Sequence, residues 1–194
     1  MLFPILTVGK ESSRADQEAT VKDELQRLFM VISAVASTLD VQELATILLT
    51  SVHEILPFDF AGLELLNEDG DTFTYFAPEI YVSTKTKQHY TSIPAPRLSS
   101  DPPDSLLSTV FKERRSVFLR ETVVEDLPPY QRAHFAITPW KSLLMLPMES
   151  MGRIIGCVVL SGKQTFDLDT AQIQSLERYV QQFTFAFVNA RQHY

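Results

Sequence analysis

One stretch near the end of the chain limits its possible folds more than any other feature. Residues 142–161 read Ser-Leu-Leu-Met-Leu-Pro-Met-Glu-Ser-Met-Gly-Arg-Ile-Ile-Gly-Cys-Val-Val-Leu-Ser. An apolar strand ending at Pro147, a turn around Gly152 and a second apolar strand over residues 154–160 predict a hairpin that is buried on at least one face. A capped helix is predicted over residues 169–192, and it must then cover that sheet.

Two helices are predicted before the first strand. Residues 21–39 place apolar side chains three and four positions apart, which puts them on one stripe of a helix. Asp40 and Glu43 then have the spacing of a capping box, with Asp in place of the usual Ser or Thr. A second helix is therefore expected to begin there and to run to about Ile55.

A second hairpin is predicted in the middle of the chain. Residues 58–66 and 72–76 have the pattern of strands, and the Asp69-Gly70 pair between them favours a turn because glycine adopts a positive φ without steric cost. Residues 77–104 contain five prolines and are expected to form a long loop over one face. The other predicted elements are a short strand around residues 89–93, a short helix over residues 105–114, a strand over residues 116–119 and an irregular segment over residues 125–135.

Length and composition narrow the class of protein. The chain has 194 residues, enough for one domain with a sizeable core, which we place at residues 21–192 after a flexible tail over residues 1–20. The net charge of −7, without a block of Lys and Arg, opposes binding to DNA or RNA. The apolar residues 1–8 are too few to span a membrane. A single cysteine, Cys157, indicates a reducing compartment, so a cytoplasmic location is expected.

Taken together, the order helix, helix, hairpin, loop, helix, strand, loop, hairpin, helix resembles the GAF domain, a small-molecule-sensing relative of the PAS fold. Residues 37–44, Ser-Thr-Leu-Asp-Val-Gln-Glu-Leu, and residues 55–65, Ile-Leu-Pro-Phe-Asp-Phe-Ala-Gly-Leu-Glu-Leu, are similar to the N-terminal sensory domains of bacterial enhancer-binding activators of the formate-hydrogenlyase activator type. The resemblance covers residues 21–190 and implies an α+β fold. Its central antiparallel sheet would have the N- and C-terminal helices on one face and loops and short helices on the other.

Two functional subfamilies are disfavoured by the residues present. Cyclic-nucleotide-binding members carry an Asn-Lys pair before a Phe and an Asp-Glu pair after it. In this chain Ser-Gly-Lys at residues 161–163 precedes Phe166, and the positions of the Asp-Glu pair hold Thr170 and Ala171. Bilin-binding members attach the chromophore through a cysteine, commonly next to a histidine. Here Cys157 lies inside a predicted strand and His134 has no cysteine near it, so no covalent chromophore is expected.

Enzymatic and metal chemistry are also disfavoured. The free methionine sulfoxide reductases of this fold need several cysteines, and one cysteine cannot complete their cycle. Cys157 is flanked by apolar residues and is expected to pack in the core. The four histidines are far apart in the sequence and none forms a pair at a metal-binding spacing: His53, His89, His134 and His193. We therefore predict no enzymatic activity, no cofactor and no metal.

The resemblance implies a ligand cavity between the sheet and the segments that connect its strands. Polar and aromatic residues in those segments are the candidate ligand-binding residues, namely His89, Tyr90, Phe111, Tyr130, His134, Phe135 and Trp140. The alternative is that the aromatic residues only cover the open face of the sheet.

Two functions from different classes follow. The first is a regulatory domain of a bacterial transcriptional regulator or sensor kinase, which binds an unknown small molecule non-covalently and signals through its terminal helices to a downstream effector domain or partner protein. The second is a ligand-free dimerisation or interaction module.

Assembly is predicted from apolar stripes at the two ends of the chain. The stripe in residues 21–39 and the one in residues 173–190 are both spaced alternately by three and four, as in a heptad seam. Each could instead pack on the sheet, because periods of 3.5 and 3.6 cannot be told apart over so few turns. The last helix is apolar over more than one face, so we predict a parallel homodimer held by a bundle of the terminal helices.

Overall fold

The structure is a computed structural model. It describes residues 40–77, 97–100, 105–123, 125, 127, 132 and 140–192. The predicted tail, the predicted helix over residues 21–39 and the predicted strand around residues 89–93 lie outside the described residues. The helices are α1 (Val41–Ile55), α2 (Leu106–Phe111) and α3 (Thr170–Gln192), with a short 3-10 helix at Leu98–Ser100. The strands are β1 (Phe60–Leu66), β2 (Phe73–Phe76), β3 (Val117–Leu119), β4 (Ser142–Ser150) and β5 (Arg153–Gly162).

The five described strands form one antiparallel sheet in the order β2-β1-β5-β4-β3. The hairpin predicted near the end of the chain lies at its centre. Ser150 pairs with Arg153, and the two residues between them, Met151 and Gly152, have φ values of 50° and 75°. Positive φ at both positions is the geometry of a type I′ turn, whose twist matches that of the flanking strands.

Strand β4 runs three residues beyond Pro147, where the sequence pattern placed its end. Proline has no N–H to give to a strand ladder, so it is tolerated where one side of a strand has no neighbour. Among the described residues, β3 pairs with β4 only at residues 143–145. Pro147 lies beyond that pairing. The strand continues past Pro147 because the residues that follow it pair with β5.

Helices α1 and α3 pack against each other, and α3 also contacts β4 while α1 contacts β1. Both helices begin at the predicted caps. The Asp40 carboxylate accepts hydrogen bonds from the backbone N–H groups of Gln42 (2.7 Å) and Glu43 (3.2 Å). Asp169 and Gln172 each accept a 2.8 Å bond from the other's backbone N–H, a reciprocal capping box. These caps satisfy donors that the first helical turn leaves without a partner in the helix.

The apolar stripe of α3 packs inside its own domain. Phe183 is 1% exposed and Phe187 is fully buried. Between them, Phe185 points away from the core and is 63% exposed. Of the two interpretations of this stripe, packing within the domain is therefore the correct one for α3. A homodimer stays a prediction, and it would need a face of α3 other than this stripe.

The first hairpin is closed by a six-residue loop over residues 67–72. Leu66 pairs with Phe73, and Gly70 has a φ of 68°, as the Asp-Gly signal predicted. The Asp69 carboxylate holds the loop by accepting 2.9 Å bonds from the backbone N–H groups of Asp71 and Thr72. The Thr72 hydroxyl donates to the same carboxylate at 2.6 Å.

These bonds predict how acid affects the domain. Chiefly the bonds from Thr72, and then the one from Asp71, lower the pKa of Asp69 from 3.8 to about 2. A lowered folded-state pKa adds stability above the unfolded pKa, and that stability is lost as pH falls through the folded pKa. We therefore expect the urea midpoint to fall between pH 4 and pH 2, and to fall less in Asp69→Asn. Glu68→Gln, in the same loop, is the control. The expectation would be contradicted if the urea midpoint fell equally between pH 4 and pH 2 in the native chain, in Asp69→Asn and in Glu68→Gln.

Candidate functional site

The face of the sheet opposite α1 and α3 carries a continuous apolar and aromatic cluster, which we call the site face. Side chains alternate along a strand, so β1, β4 and β5 give one set of residues to the helices and the other set to this face. Helix α2 packs over it. The buried members are Phe60, Phe73, Leu107, Val110, Phe111, Val117, Leu127, Trp140, Leu143, Met145, Ile154, Cys157 and Val159.

Aromatic rings form a row across the site face. The Phe60 ring lies between those of Trp140, with centroids 4.6 Å apart and planes 29° apart, and Tyr75, with centroids 6.5 Å apart and planes 9° apart. A second pair, Phe73 and Phe111, meets edge to face at 4.8 Å. We refer to Tyr75, Phe60 and Trp140 as the aromatic row. Stacked aromatic rings attract one another beyond the effect of the area that they bury, so the row is a packed part of the site face.

Gly62 allows the Tyr75 ring to lie against the sheet. A Cβ at Gly62 would be 2.3 Å from the Tyr75 hydroxyl oxygen and 2.4 Å from Cε2. Contacts this short are incompatible with any side chain larger than hydrogen unless the ring moves. The glycine therefore fixes where the aromatic row meets β1.

Glu64 brings a carboxylate to this apolar face. It is half-buried, pairs across the sheet with Cys157 on β5 and is paired on its other side with Tyr75. The Cys157 thiol is fully buried and donates to Glu64 Oε2 at 3.7 Å. Burial first, and then the negative charge and hydrogen bond of Glu64, raise the pKa of the Cys157 thiol well above its ordinary value. The thiol is consequently protonated and is not a nucleophile at neutral pH.

Cys157 should therefore resist thiol reagents in the folded domain. We expect almost no reaction with a disulfide reagent such as DTNB at pH 8, and stoichiometric reaction once the domain is unfolded in urea. Glu64→Gln removes the negative charge but not the burial, so it should leave the thiol protected. Rapid labelling of the native protein would contradict the assigned burial of Cys157.

Ser161 is the second polar group on the site face. Its position in β5 pairs with Phe60 on one side and Leu143 on the other, and both of these belong to the cluster. Ser161 is fully buried, and its hydroxyl has no hydrogen-bond partner among the described residues. Ser142, one strand away and equally buried, instead donates to the Gln164 carbonyl at 2.7 Å and accepts from the Phe166 N–H at 3.0 Å.

A β-bulge shapes the end of the site face near the hairpin turn. The register of β4 and β5 shifts between Met148 and Glu149, so Gly156 faces Met148 while Ile154 faces Glu149. The extra residue in β5 changes the alternation there. Ile154 and Cys157, three positions apart, consequently both join the cluster.

The structure brings together two of the seven predicted site residues, Phe111 and Trp140, within the cluster. The other five lie outside the described residues, and their role stays a prediction: His89, Tyr90, Tyr130, His134 and Phe135. Sequence reasoning missed Phe60, Glu64 and Ser161. One signal was available, since residues 60, 62 and 64 alternate in one strand, and the charge at Glu64 interrupts an otherwise apolar run.

Within the described part of the chain, no group of three His, Cys, Asp or Glu side chains could hold a metal ion. Over those same residues, no helix has the length and apolarity to cross a bilayer.

Comparison with known proteins relates the chain to one family. The profile of the GAF domain matches residues 38–188. A GAF domain of a phosphoenolpyruvate-protein phosphotransferase from Coxiella burnetii has a similar structure, with a TM-score of 0.64, 14% identity and coverage of 87% of this chain and 95% of that one. A GAF domain/HD domain protein from Geobacter sulfurreducens has a TM-score of 0.62 and 15% identity, with coverage of 81% of this chain and 98% of that one. Free methionine-R-sulfoxide reductase from Neisseria meningitidis, in complex with its substrate, has a TM-score of 0.58 and 18% identity, with coverage of 86% of this chain and 89% of that one.

These likenesses confirm the predicted α+β fold, and at such low identities they show the fold alone. No curated protein matches the chain.

Proposed function

This chain belongs to the GAF domain family, and from that premise we propose that it is a sensory domain for signal transduction. It binds a small molecule non-covalently on the site face and passes the signal through α3 to a downstream effector domain or partner protein. The ligand is held between the aromatic row and the polar groups of β1 and β5.

The observation that supports this proposal above all is the polar content of the site face. A sealed core is expected to be apolar, because burying a hydroxyl without a partner costs about 1–3 kcal/mol. This face keeps the buried hydroxyl of Ser161 and the half-buried carboxylate of Glu64. A mostly apolar surface with a few polar groups that fix orientation is typical of small-molecule sites.

The path of the signal from the site face to α3 is short, because only strands β4 and β5 lie between that face and the helix. The Gln181 side-chain amide accepts from the Glu149 N–H at 3.1 Å and donates to the Glu149 carbonyl, directly at the β-bulge. One turn earlier, Glu177 accepts a hydrogen bond from Ser116, just before β3. Two directional links on one side of α3 therefore tie the helix to strand ends, so that a shift of these strands moves the helix.

The kind of protein that carries this domain, its lack of enzymatic activity and its location in the cell are also part of the proposal. Residues 37–44 and 55–65 resemble the sensory domains of formate-hydrogenlyase-type activators, which supports a bacterial transcriptional regulator, with a sensor kinase as the other output. A non-enzymatic role is supported by the protonated, buried state of Cys157. The use of one unpaired cysteine supports a cytoplasmic location.

Homodimerisation is part of the same proposal. The exposed side of α3 carries Phe185, which is 63% exposed. A large apolar side chain on a helix whose opposite side is already buried fits a two-fold contact with the same helix of a second subunit.

Native mass spectrometry of the protein purified without denaturant, followed by a thermal-shift screen of metabolites, tests the sensory function. A ligand that prefers the folded state raises the melting temperature, by an amount that grows with its concentration. The screen is repeated with Phe185→Ala, which changes no residue of the site face and should leave binding intact. A dimer that binds no member of a broad panel would favour the ligand-free dimerisation module.

A further inference from the structure

We propose that the ligand of the site face is a small, uncharged and mostly apolar molecule that forms a hydrogen bond with the Ser161 hydroxyl through a hydroxyl or carbonyl group. Simple phenols have this chemistry. The inference rests on the proposed sensory function, and it adds the chemical class of the ligand and the residue that selects it.

The Ser161 hydroxyl lies on the site face among apolar neighbours. Ser161 is directly opposite Phe60 of β1 and Leu143 of β4, and both of these belong to the buried cluster. Directly opposed residues of an antiparallel pair, and alternate residues of one strand, place their side chains on the same face. Val159, two positions earlier in β5, is in the cluster as well. The neighbours of this hydroxyl on three strands of the face are therefore apolar.

A second buried serine at this end of the sheet shows what a structural hydroxyl has. Ser142 is as fully buried as Ser161, and its hydroxyl donates to the Gln164 carbonyl at 2.7 Å and accepts from the Phe166 N–H at 3.0 Å. The Ser161 hydroxyl has no partner among the described residues. Alanine at position 161 would avoid its desolvation without loss of a bond. A hydroxyl kept at a cost to stability is explained by a bond that forms when the ligand is present.

The surroundings of Ser161 define the charge of the ligand. A serine hydroxyl offers one donor and two acceptor positions, so it can bond to either a hydroxyl or a carbonyl group. It is neutral, and burial of an ion among apolar side chains without an opposite charge is very costly. The nearest charged residue along the chain, Lys163, follows the end of β5, and its ammonium lies 3.5 Å from the Asp59 carboxylate. The ligand group that meets Ser161 is therefore uncharged.

The rest of the ligand meets the apolar part of the face. Met145 of β4 is directly opposite Val159 of β5, in the row next to that of Ser161 and Leu143, and all three apolar residues are in the cluster. Such a surface favours apolar ligand atoms, because their contact removes apolar area from water. A mostly apolar molecule with one polar group that fixes its orientation fits this arrangement.

Four probes built on one ring separate these features at pH 7. Phenol carries an uncharged hydroxyl, since the pKa of a phenol is about 10, and toluene has a methyl group in its place. Benzoate carries a negative charge and benzylamine a positive one. Binding is measured by isothermal titration, and stability by the melting temperature without probe. The proteins are the native chain, Ser161→Ala and, as the matched control, Ser142→Ala.

Phenol is expected to bind most tightly. Its affinity should exceed that of toluene by about threefold to tenfold, the range of one neutral hydrogen bond. Benzoate and benzylamine should bind at least about tenfold more weakly than phenol, since each would lose its hydration on an apolar face.

The two serine variants should behave differently. Ser161→Ala should bind phenol only as tightly as the native protein binds toluene, should bind toluene as the native protein does, and should melt at the same or a higher temperature. Ser142→Ala should melt at a lower temperature and bind the probes in the native order.

Equal affinities for phenol in the native protein and in Ser161→Ala, or tighter binding of either ion than of phenol, would overturn the proposal. A melting temperature of Ser161→Ala as low as that of Ser142→Ala would show that the Ser161 hydroxyl is structural, and would overturn it too.

The metabolite screen decides the case in which all four probes fail. An uncharged ligand from the screen that Ser161→Ala weakens would support the proposal. A charged ligand, or one that Ser161→Ala binds as tightly as the native protein does, would overturn the ligand class and leave the sensory function standing. Failure of the probes and of the whole screen would overturn both.

Discussion

Phe183→Glu is expected to unfold the domain itself, whatever its state of assembly. Phe183 is 1% exposed and lies on the side of α3 that packs on the sheet. Loss of a buried Phe ring costs about 3–5 kcal/mol, and the glutamate adds the cost of a charge without a partner in an apolar core. Domains of this kind have about 5–15 kcal/mol of stability in total. Circular dichroism and urea unfolding should show a largely unfolded chain at 25 °C.

Phe185→Glu is the matched control, two positions away on the same helix. Phe185 is 63% exposed, so a glutamate there stays in water and the urea midpoint should change little. If the proposed homodimer uses this side of α3, light scattering at micromolar concentration should give a dimeric mass for the native chain and a monomeric mass for Phe185→Glu. A folded, monomeric Phe183→Glu protein would instead identify the buried stripe as a subunit interface.

Trp140→Ala is expected to produce the second largest loss of stability. The indole is 9% exposed and its ring centroid lies 4.6 Å from that of Phe60. Its removal leaves a cavity at the end of the aromatic row, at a cost of about 3–5 kcal/mol. Urea unfolding followed by circular dichroism measures the loss.

Trp140→Phe is the control, because it keeps an aromatic ring against Phe60 and should lose less than half as much. The two variants should also separate stability from binding. Trp140→Phe keeps a flat surface for a ligand, whereas Trp140→Ala removes one end of the row. Equal and small losses for both variants would mean that the indole contributes little packing to the site face.

The elements of the fold were predictable where the signal is local. The Asp40 cap, the hairpin around Gly152 and the start of α3 depend on residues within four positions of one another. Caps and tight turns are decided by nearby backbone geometry, so a short stretch of sequence specifies them. Strand ends are less local. Strand β4 continues beyond Pro147 because of its pairing with β5, which the residues around Pro147 do not reveal.

The candidate site was predictable only in part, for the same reason. Sequence reasoning looked for aromatic residues between the regular elements, and Phe111 and Trp140 do lie in the cluster. It did not find Glu64 and Ser161, because both are inside strands that read as core. Their significance comes from facing the same side of the sheet, and strand pairing sets that side. A shift of one residue in register would turn either side chain toward the helices.

By itself, the sequence determined the order of the described helices and strands, their caps and turns, and the family, because these follow from periodicity and short-range geometry. The tertiary structure alone decided which face of α3 is buried, since a stripe of apolar residues fits a sheet and a second helix equally well. It also decided what the site face contains. Glu64 and Cys157 are far apart in the chain and meet only because β1 pairs with β5 in one register. Long-range pairing depends on the whole sheet, and no short segment of sequence encodes it.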